Sequence, residues 1–277
     1  MSLYITSINS GSNGNCYYVG NEREAVLIDA GISCREIEKR MARLGLSIEK
    51  VKAVFVSHEH SDHIKGLPTL AKKFQIPIYI TPATLLYSRC LLTKDQVIPF
   101  VAGKPVTIGN LMITAFSKMH DASDPCSFIV AYNGIKVGIF TDIGIACKEV
   151  IDYFKECNAA FLEANYDEAM LEAGNYPYHL KKRISGGRGH LSNRQALELF
   201  KIHKPACMSH LLLSHLSKNN NCPDLVQKLF DEHADGVKMI VASRYEETEV
   251  YRITGSDKFD SRINTILSAS QLSFSFA

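Results

Sequence analysis

A cluster of metal-binding residue types between positions 58 and 63 constrains this chain more than any other feature of its sequence. The cluster reads His58-Glu59-His60-Ser61-Asp62-His63. The apolar, β-branched segment 51–56 before it predicts a buried strand, and the segment 64–74 after it predicts a helix. The cluster therefore lies on a turn at the carboxyl end of a strand, where open α/β sheets place their ligand sites. Three imidazoles and a carboxylate on one turn would be costly to bury unpaired, so they predict a metal site.

Other residues of the same chemistry follow strands or lie in loops elsewhere in the chain: Asp29, His120, Asp142 and His215. Imidazole nitrogens and carboxylate oxygens suit zinc, iron or manganese. The candidate ligands are more numerous than one tetrahedral ion needs; they are His58, His60, Asp62, His63, His120, Asp142 and His215. We therefore expect two divalent ions, Zn²⁺ or Mn²⁺, about 3.5–4 Å apart and bridged by a carboxylate.

His210 is an alternative to His215 as the last of these ligands. It lies five positions earlier, inside the apolar strand predicted at 206–213. Because side chains alternate along a strand, the two histidines would face opposite sides if the strand continued. His215 lies beyond the strand end, as the other candidates do, and we therefore prefer it.

The composition of the chain is that of an ordinary globular protein. Its 277 residues, 46% hydrophobic and 22% charged, suit one domain spanning 1–277, with a Ser-rich and aromatic segment at 255–277 that we expect to be a loose tail. A net charge of +2 gives no global signal for nucleic acid. We expect neither a transmembrane helix nor a signal peptide. The eight cysteines include no C-x-x-C pair and indicate small buried residues in a reducing cytoplasm.

Alternation of short strands and helices predicts a mixed α/β fold. Asn133-Gly134 between two apolar runs is a signal for a type I′ hairpin, and Ser33 with Glu36 predicts a capped helix extending to Leu44. The turn-rich segment 10–15 is either a plain hairpin turn or a loop that approaches a phosphate or the metal site. In the second case Asn15 would contact the substrate.

A basic segment without acidic residues occupies 176–189, and we interpret it as a loop. Its glycines separate four positive charges: Lys181, Lys182, Arg183 and Arg188. These side chains are either solvated or contact phosphates beside the metals. His190-Leu191-Ser192 follows and is predicted to open a helix, with Ser192 as a further candidate substrate contact.

In this set and order the motifs resemble those of the metallo-β-lactamase-fold hydrolases over nearly the whole chain. The resemblance implies a four-layer αββα sandwich with the metals at one edge. It implies that His58, His60 and His120 hold one ion, and that Asp62, His63 and His215 hold the other. Asp142 would bridge both ions, Asp29 would support a ligand, and Glu59 would not be a ligand.

Within that family the chain resembles the tRNase Z-like nucleases, and most closely the small single-domain YycJ/WalJ-like group. Asp142 and His63 differ from the main zinc β-lactamases, and His60 differs from the flavodiiron oxidases. The short segment between Asp142 and His215 leaves no room for the inserted domain of the tRNase J branch. The resemblance implies that His190 donates a proton to the leaving oxygen and that Glu163 holds it.

These features predict a dinuclear phosphodiesterase acting on nucleic acid, and the resemblance implies DNA more than RNA. The resemblance implies 5′→3′ exodeoxyribonuclease action on duplex DNA, with Asp62 orienting the nucleophilic hydroxide. The alternatives are a thioester or lactone hydrolase of the glyoxalase II type, a tRNase Z-like ribonuclease, and a metal-loaded binding module without turnover. The sequence does not determine the oligomeric state.

Overall fold

The computed structural model describes residues 1–255, so the tail predicted at 255–277 lies outside the described residues apart from Gly255. The strands in this part of the chain are β1 Ser2–Asn9, β2 Cys16–Gly20, β3 Ala25–Ile28, β4 Val51–Phe55, β5 Ile78–Ile80, β6 Val97–Pro99, β7 Val106–Ile108, β8 Leu111–Ser117, β9 Cys126–Tyr132, β10 Ile135–Phe140, β11 Ala159–Glu163, β12 His210–Ser214, β13 Lys238–Val241 and β14 Tyr251–Thr254. The helices are α1 Cys34–Arg43, α2 Ser61–Ile64, α3 Leu67–Phe74, α4 Pro82–Ser88, α5 Lys148–Phe154, α6 Glu168–Ala173, α7 Tyr178–Ser185, α8 Asn193–His203 and α9 Pro223–Asp231, with a 3₁₀ turn at Ile48–Lys50.

Within the described residues these strands form two seven-stranded sheets. The first has the order β14-β1-β2-β3-β4-β5-β6 and the second has the order β13-β12-β11-β10-β9-β8-β7. A central apolar core lies between the sheets and includes Val26 and Phe55 of the first sheet and Phe128 and Phe161 of the second. The sheets are therefore the two inner layers of the fold.

Helices cover the outer face of each sheet. Leu27 of β3 packs with Ile37 of α1 and Leu70 of α3. Leu162 of β11 packs in the same way with Phe200 of α8. The strand neighbours Val26 and Phe161 face the central core, because side chains alternate along a strand. The predicted four-layer αββα sandwich is confirmed.

Local predictions based on turn and cap chemistry agree with the structure. Asn133 and Gly134 have φ of +47° and +80° and join β9 to β10 in the predicted type I′ hairpin. The Ser33 side chain accepts a hydrogen bond from the Glu36 backbone N–H at the start of α1. The helix predicted over 64–74 is instead two helices, α2 and α3, which are separated at Lys65-Gly66.

The basic segment is a helix, and the prediction of a loop over 176–189 was wrong. Residues Tyr178–Ser185 form α7, and only 186–189 continue as an irregular turn into His190. Leu180 and Ile184 are its only aliphatic positions and lie one helical turn apart, which gives too narrow an apolar stripe for the usual helical pattern to be recognised. Lysines and arginines nevertheless have good helix propensity.

No helix within residues 1–255 is both long enough and apolar enough to cross a membrane.

Candidate active site

The candidate ligands meet at one edge of the sandwich because several parallel strands end there. Strands β3 and β4 run parallel in the first sheet, and β10, β11 and β12 run parallel in the second. Three residues just past strand ends have left-handed backbones, with φ of +63° for Asp29, +55° for Asp142 and +58° for His215. Aspartate and histidine enter this region more readily than most residues. The conformation turns the chain sharply where these side chains enter the site.

Three histidines form the first group of candidate ligands. His58 Nε2 lies 3.0 Å from His60 Nδ1, which lies 3.4 Å from His120 Nε2. Ligand atoms around a tetrahedral zinc with bonds of 2.0–2.1 Å are separated by roughly 3.3 Å, so this spacing suits one ion. Burial lowers the pKa of His120 to about 4 and holds the pKa of His58 well below its ordinary value. These two imidazoles are therefore uncharged at neutral pH, which is the form that binds metal.

A second group contains Asp62, His63 and His215. Asp62 Oδ2 lies 3.5 Å from His63 Nε2 and 3.5 Å from His215 Nε2. Burial by itself lowers the pKa of His215, but the carboxylates of Asp142, Asp62 and Glu163 outweigh it and raise that pKa to about 10. Burial also opposes charge on His63, and nearby carboxylates, Asp142 first, again raise its pKa.

Asp142 lies between the two groups. Its Oδ2 is 3.3 Å from His63 Nε2, and its Oδ1 is 3.5 Å from His215 Nε2 and 3.9 Å from His120 Nε2. Among the described residues, Asp142 Oδ2 and His215 Nε2 are buried without a hydrogen-bond partner. Polar atoms left in this way are costly unless another group satisfies them. The donor set and its orphaned atoms therefore fit divalent metal ions.

Asp29 and Ser57 hold two of the histidines from behind. Asp29 Oδ2 lies 2.7 Å from His63 Nδ1 and accepts a hydrogen bond of 2.8 Å from Ser57 Oγ. The same Ser57 Oγ lies 2.9 Å from His58 Nδ1. Hydrogen bonds at Nδ1 fix the ring so that Nε2 faces the site. Sequence reasoning singled out Asp29 but not Ser57.

Glu163 contacts two imidazoles with one oxygen. Its Oε1 lies 2.8 Å from His190 Nδ1 and 2.9 Å from His215 Nδ1, while Oε2 accepts hydrogen bonds from the Ile143 and Leu191 backbones. Burial opposes the charged carboxylate, but His190 and His215 outweigh burial and lower the pKa of Glu163 to about 2. Glu163 is therefore ionised and fully buried, whereas the side chain of its partner His190 is 21% exposed.

Lys118 is a buried part of the site that the sequence patterns did not reveal. Its side chain is 5% exposed, and Nζ donates a hydrogen bond of 2.7 Å to the Thr141 carbonyl, directly before Asp142. Asn165 has a comparable role, because its Nδ2 donates to the His215 carbonyl at 2.8 Å. Neither residue lies in a motif, so only the three-dimensional structure shows these contacts.

His210 and Glu59, which were considered from the sequence, do not join the candidate ligands. His210 faces away, with its ring 5.5 Å from that of Tyr251. The Glu59 carboxylate accepts two hydrogen bonds from Ser123 and contacts none of the histidines. His215, by contrast, joins the second group.

Asn15 and Ser192 are buried, and their side chains are already bonded within the protein. Asn15 Nδ2 is 3.3 Å from Asp62 Oδ2 and 3.2 Å from His63 Nε2, so the segment 10–15 does approach the candidate metal site. Ser192 Oγ caps α8 and donates a hydrogen bond of 3.0 Å to Glu168 Oε1.

The four basic residues of the 176–189 segment separate into two sets. Arg183 Nε donates to Asp121 Oδ2 at 2.5 Å, and the other oxygen of Asp121 lies 3.4 Å from His120 Nε2. Arg188 is exposed on the turn before His190. Lys181 instead bonds the Glu172 carbonyl, and Lys182 lies over the Tyr178 ring.

Comparison with known proteins agrees with this fold and site. The model of the beta-lactamase superfamily domain matches residues 24–215. The chain is 34% identical to exodeoxyribonuclease YycJ of Bacillus anthracis, over 86% of this chain and 92% of that protein. It is 32% identical to exodeoxyribonuclease WalJ of Streptococcus pneumoniae, over 78% and 82%. The metallo-beta-lactamase fold protein YhfI from Bacillus subtilis superposes with a TM-score of 0.70 at 19% identity, covering 91% of this chain and 100% of that one.

The αββα sandwich with histidines and carboxylates at the strand ends defines a metal-dependent hydrolase. The length of the family match and the identity to full-length relatives then determine the family. The chain belongs to the beta-lactamase superfamily.

Proposed function

We propose that this protein is a dinuclear metal-dependent phosphodiesterase, specifically a 5′→3′ exodeoxyribonuclease acting on duplex DNA. Two relatives that match over most of their length are named exodeoxyribonucleases. The observation that carries the proposal is the contact of 2.8 Å between His190 and Glu163 beside the metal-ligand groups. A phosphodiester loses a basic alkoxide that needs a proton, whereas a thioester loses a thiolate that does not. A held imidazole at this place therefore favours a substrate with an alkoxide leaving group over a thioester. The exposed Arg188 on the turn before His190 favours a phosphodiester over a lactone, because it offers positive charge for a phosphate.

The two groups of ligands support a two-ion assignment. His58, His60 and His120 would hold one divalent ion, Asp62, His63 and His215 the other, and Asp142 would contact both. When bound, Zn²⁺ or Mn²⁺ ions at such positions neutralise charge on phosphoryl oxygens and lower the pKa of water.

The protein residues have separate tasks in this proposal. Asp62, held through Asn15, orients the attacking water from its place between His63 and His215. His190 donates a proton to the leaving 3′ oxygen, while ionised Glu163 keeps the ring in position. Arg183 and Arg188 contact phosphates and position the strand without reading bases.

The location of the protein is part of the same proposal. All eight cysteines fall within residues 1–255 and none of them is in a disulfide there. Free thiols are typical of reducing compartments, which supports the cytoplasm.

Cleavage of a 5′-phosphorylated, 3′-labelled DNA duplex tests the proposal. Metal-stripped protein is reloaded with Mn²⁺ or Zn²⁺, and a His58→Ala variant purified in parallel controls for contaminating nuclease. We expect metal-dependent loss of nucleotides from the 5′ end that is absent in the variant.

Other substrates give the contrary outcomes. Cleavage of RNA alone would favour a tRNase Z-like ribonuclease. Hydrolysis of a thioester or lactone, with no cleavage of any nucleic acid, would move the function to the glyoxalase II type. Retained DNA binding with no hydrolysis under either metal would indicate a binding module.

A further inference from the structure

Helix α7 has the candidate metal site on one side and a cavity on another. Arg183 lies on the metal side, since its guanidinium bonds Asp121 beside His120. Tyr178, Lys181, Lys182 and Ser185 line the cavity instead. Their spacing of three and four residues places them together on one face of the helix. The basic segment therefore serves two different surfaces.

The cavity has a volume of about 630 Å³, within the usual range for small-ligand sites. We call it the tyrosine cavity, because three of the protein's twelve tyrosines line it: Tyr166, Tyr176 and Tyr178. Tyr166 is 4% exposed, whereas Tyr178 is 73% exposed. The Tyr176 hydroxyl accepts a hydrogen bond of 3.0 Å from Asn219. The cavity thus combines one buried ring, one ring whose hydroxyl is hydrogen-bonded to the protein, and one exposed ring.

Charged and polar groups complete the lining of the tyrosine cavity. Lys182 Nζ lies 5.5 Å from the centre of the Tyr178 ring, so a cation adjoins the accessible aromatic face. Gln195 and Glu168 also line the cavity and offer amide and carboxylate groups. Aromatic faces beside a cation suit a base and its phosphate, because bases stack on aromatic side chains and lysines attract the backbone.

The tyrosine cavity adjoins the proposed proton donor. Glu168, on its wall, accepts a hydrogen bond of 3.0 Å from Ser192 Oγ, and Ser192 is two residues from His190. Two residues span at most roughly 7 Å of chain. A strand cut beside His190 therefore has its neighbouring nucleotides within reach of the cavity.

We propose that the tyrosine cavity binds an unpaired nucleotide of DNA, with the base against Tyr178 and the phosphate near Lys182. This inference rests on the proposed nuclease function and adds a substrate class to it. In a closed duplex the base faces are covered by their neighbours, so only an unstacked base can enter. The substrate is accordingly a duplex end whose terminal nucleotides are frayed or single-stranded.

Binding measurements on cleavage-resistant DNA test the cavity directly. Fluorescein-labelled oligonucleotides with phosphorothioate linkages are titrated with metal-loaded protein and followed by fluorescence anisotropy. Tyr178→Ala should weaken binding of a duplex with a single-stranded end about 5- to 100-fold, since it removes one stacking surface. Tyr178→Phe keeps the ring and should bind like the wild type. Tyr87→Ala, on α4 and 64% exposed, is the matched control and should also leave binding unchanged.

A closed-circular duplex, which has neither ends nor unpaired nucleotides, provides the complementary probe. It should bind the wild type more weakly and respond little to Tyr178→Ala. If the wild type cleaves DNA and Tyr178→Ala binds the open-ended duplex equally well, the cavity assignment is wrong and the nuclease function stands. If the wild type cleaves no DNA yet its binding depends on Tyr178, the cavity stands and the nuclease function is wrong. If the wild type neither cleaves nor binds DNA, both are wrong.

Discussion

At the scale of single residues, His190 is the side chain whose proposed role is most easily separated from metal binding. It belongs to neither the three-histidine group nor the Asp62 group. Its Nδ1 lies 3.8 Å from Asp142 Oδ1 but is bonded to Glu163 Oε1 at 2.8 Å. Replacing His190 by Ala should leave metal content intact and slow DNA cleavage by about 10²–10⁴-fold, because the leaving oxygen then lacks its proton donor. Metal analysis and single-turnover rates measure the two effects.

Leaving-group dependence distinguishes proton donation from a general loss of structure. Bis(p-nitrophenyl) phosphate releases a weakly basic phenolate that needs little protonation, so its hydrolysis should fall much less in His190→Ala. His203→Ala, near the end of α8, is the matched histidine control. An equal loss on both substrates would remove His190 from the proton-donor role.

Lys118 is predicted to stabilise the turn that carries Asp142. Lys118→Met keeps most of the side-chain volume but leaves the buried Thr141 carbonyl without its donor, which should cost about 1–3 kcal/mol of unfolding free energy. The control is Lys136→Met, because Lys136 pairs with Glu156 on the surface and such pairs contribute about 0–1 kcal/mol. Urea unfolding of both metal-loaded variants provides the comparison, and equal losses would contradict the role.

The candidate metal ligands were predictable from the sequence, but the residues that hold them in place were not. Histidines and aspartates after apolar strands form a visible pattern, since strand ends meet at one edge. Lys118 follows a strand in the same way as any solvated lysine, and Ser57 looks like an ordinary turn residue. Their roles depend on contacts with Thr141 and Asp29, which the sequence does not specify.

At the scale of elements, three loops meet around the proton donor. Gly144, two residues past Asp142, donates its backbone N–H to the Met119 carbonyl beside His120 at 2.7 Å. A Cβ at Gly144 would lie 2.3 Å from the Gly187 carbonyl oxygen, on the turn between α7 and His190. The absence of a side chain at Gly144 therefore lets this turn lie against the Asp142 loop.

Gly144→Ala should push the 186–189 turn away and displace His190. A shift of about 1 Å at a catalytic group can cost roughly 10²-fold in rate, so DNA cleavage should fall by that order. Metal affinity should weaken as well, because the Gly189 carbonyl of the same turn lies 3.0 Å from His120 Nδ1. Gly187→Ala is the matched control, because its Cβ would meet only Ile145 at an ordinary 3.5 Å. Stopped-flow cleavage rates that fall equally in both variants would contradict this packing argument.

Element types followed from the sequence where the local signal was strong. The Asn133-Gly134 hairpin and the strand before His58 depend on turn chemistry and apolar periodicity, which act locally. Helix α7 was not predicted, because its apolar stripe consists only of Leu180 and Ile184 and its helical conformation depends on neighbouring elements. The second surface of the basic segment was missed for the same reason.

At the scale of the whole molecule, the candidate metal site joins the two sheets. Asp29 and the 58–63 cluster follow strands of the first sheet, whereas Asp142 and His215 follow strands of the second. Ions bound between them would connect the sheets at that edge. Strand order could not be read from the sequence, because pairing partners such as β1 and β14 lie at opposite ends of the described chain.

Removal of metal should therefore destabilise the whole fold. A ligand that binds only the folded state stabilises it by about 2.7 kcal/mol when its free concentration is 100 times its Kd. We expect a lower melting temperature after chelation and full recovery on reloading with Zn²⁺ or Mn²⁺. Differential scanning calorimetry measures this, and an unchanged melting temperature in verified metal-free protein would argue against ions joining the sheets.

The two groups of ligands should also load with different pH dependence. In the metal-free protein, carboxylates outweigh burial and raise the pKa of His215 to about 10, so at pH 7 this imidazole carries a proton that an incoming ion must displace. Affinity at the Asp62, His63 and His215 group should accordingly fall about tenfold for each unit decrease in pH per proton released. Burial lowers the pKa of His120 to about 4, so between pH 6 and 8 this ligand of the other group has no proton to lose.

Chelator competition across this range should resolve one steep and one shallow binding phase, and His215→Ala should abolish only the steep phase. Two phases of equal slope would contradict the assignment of ligands to separate ions.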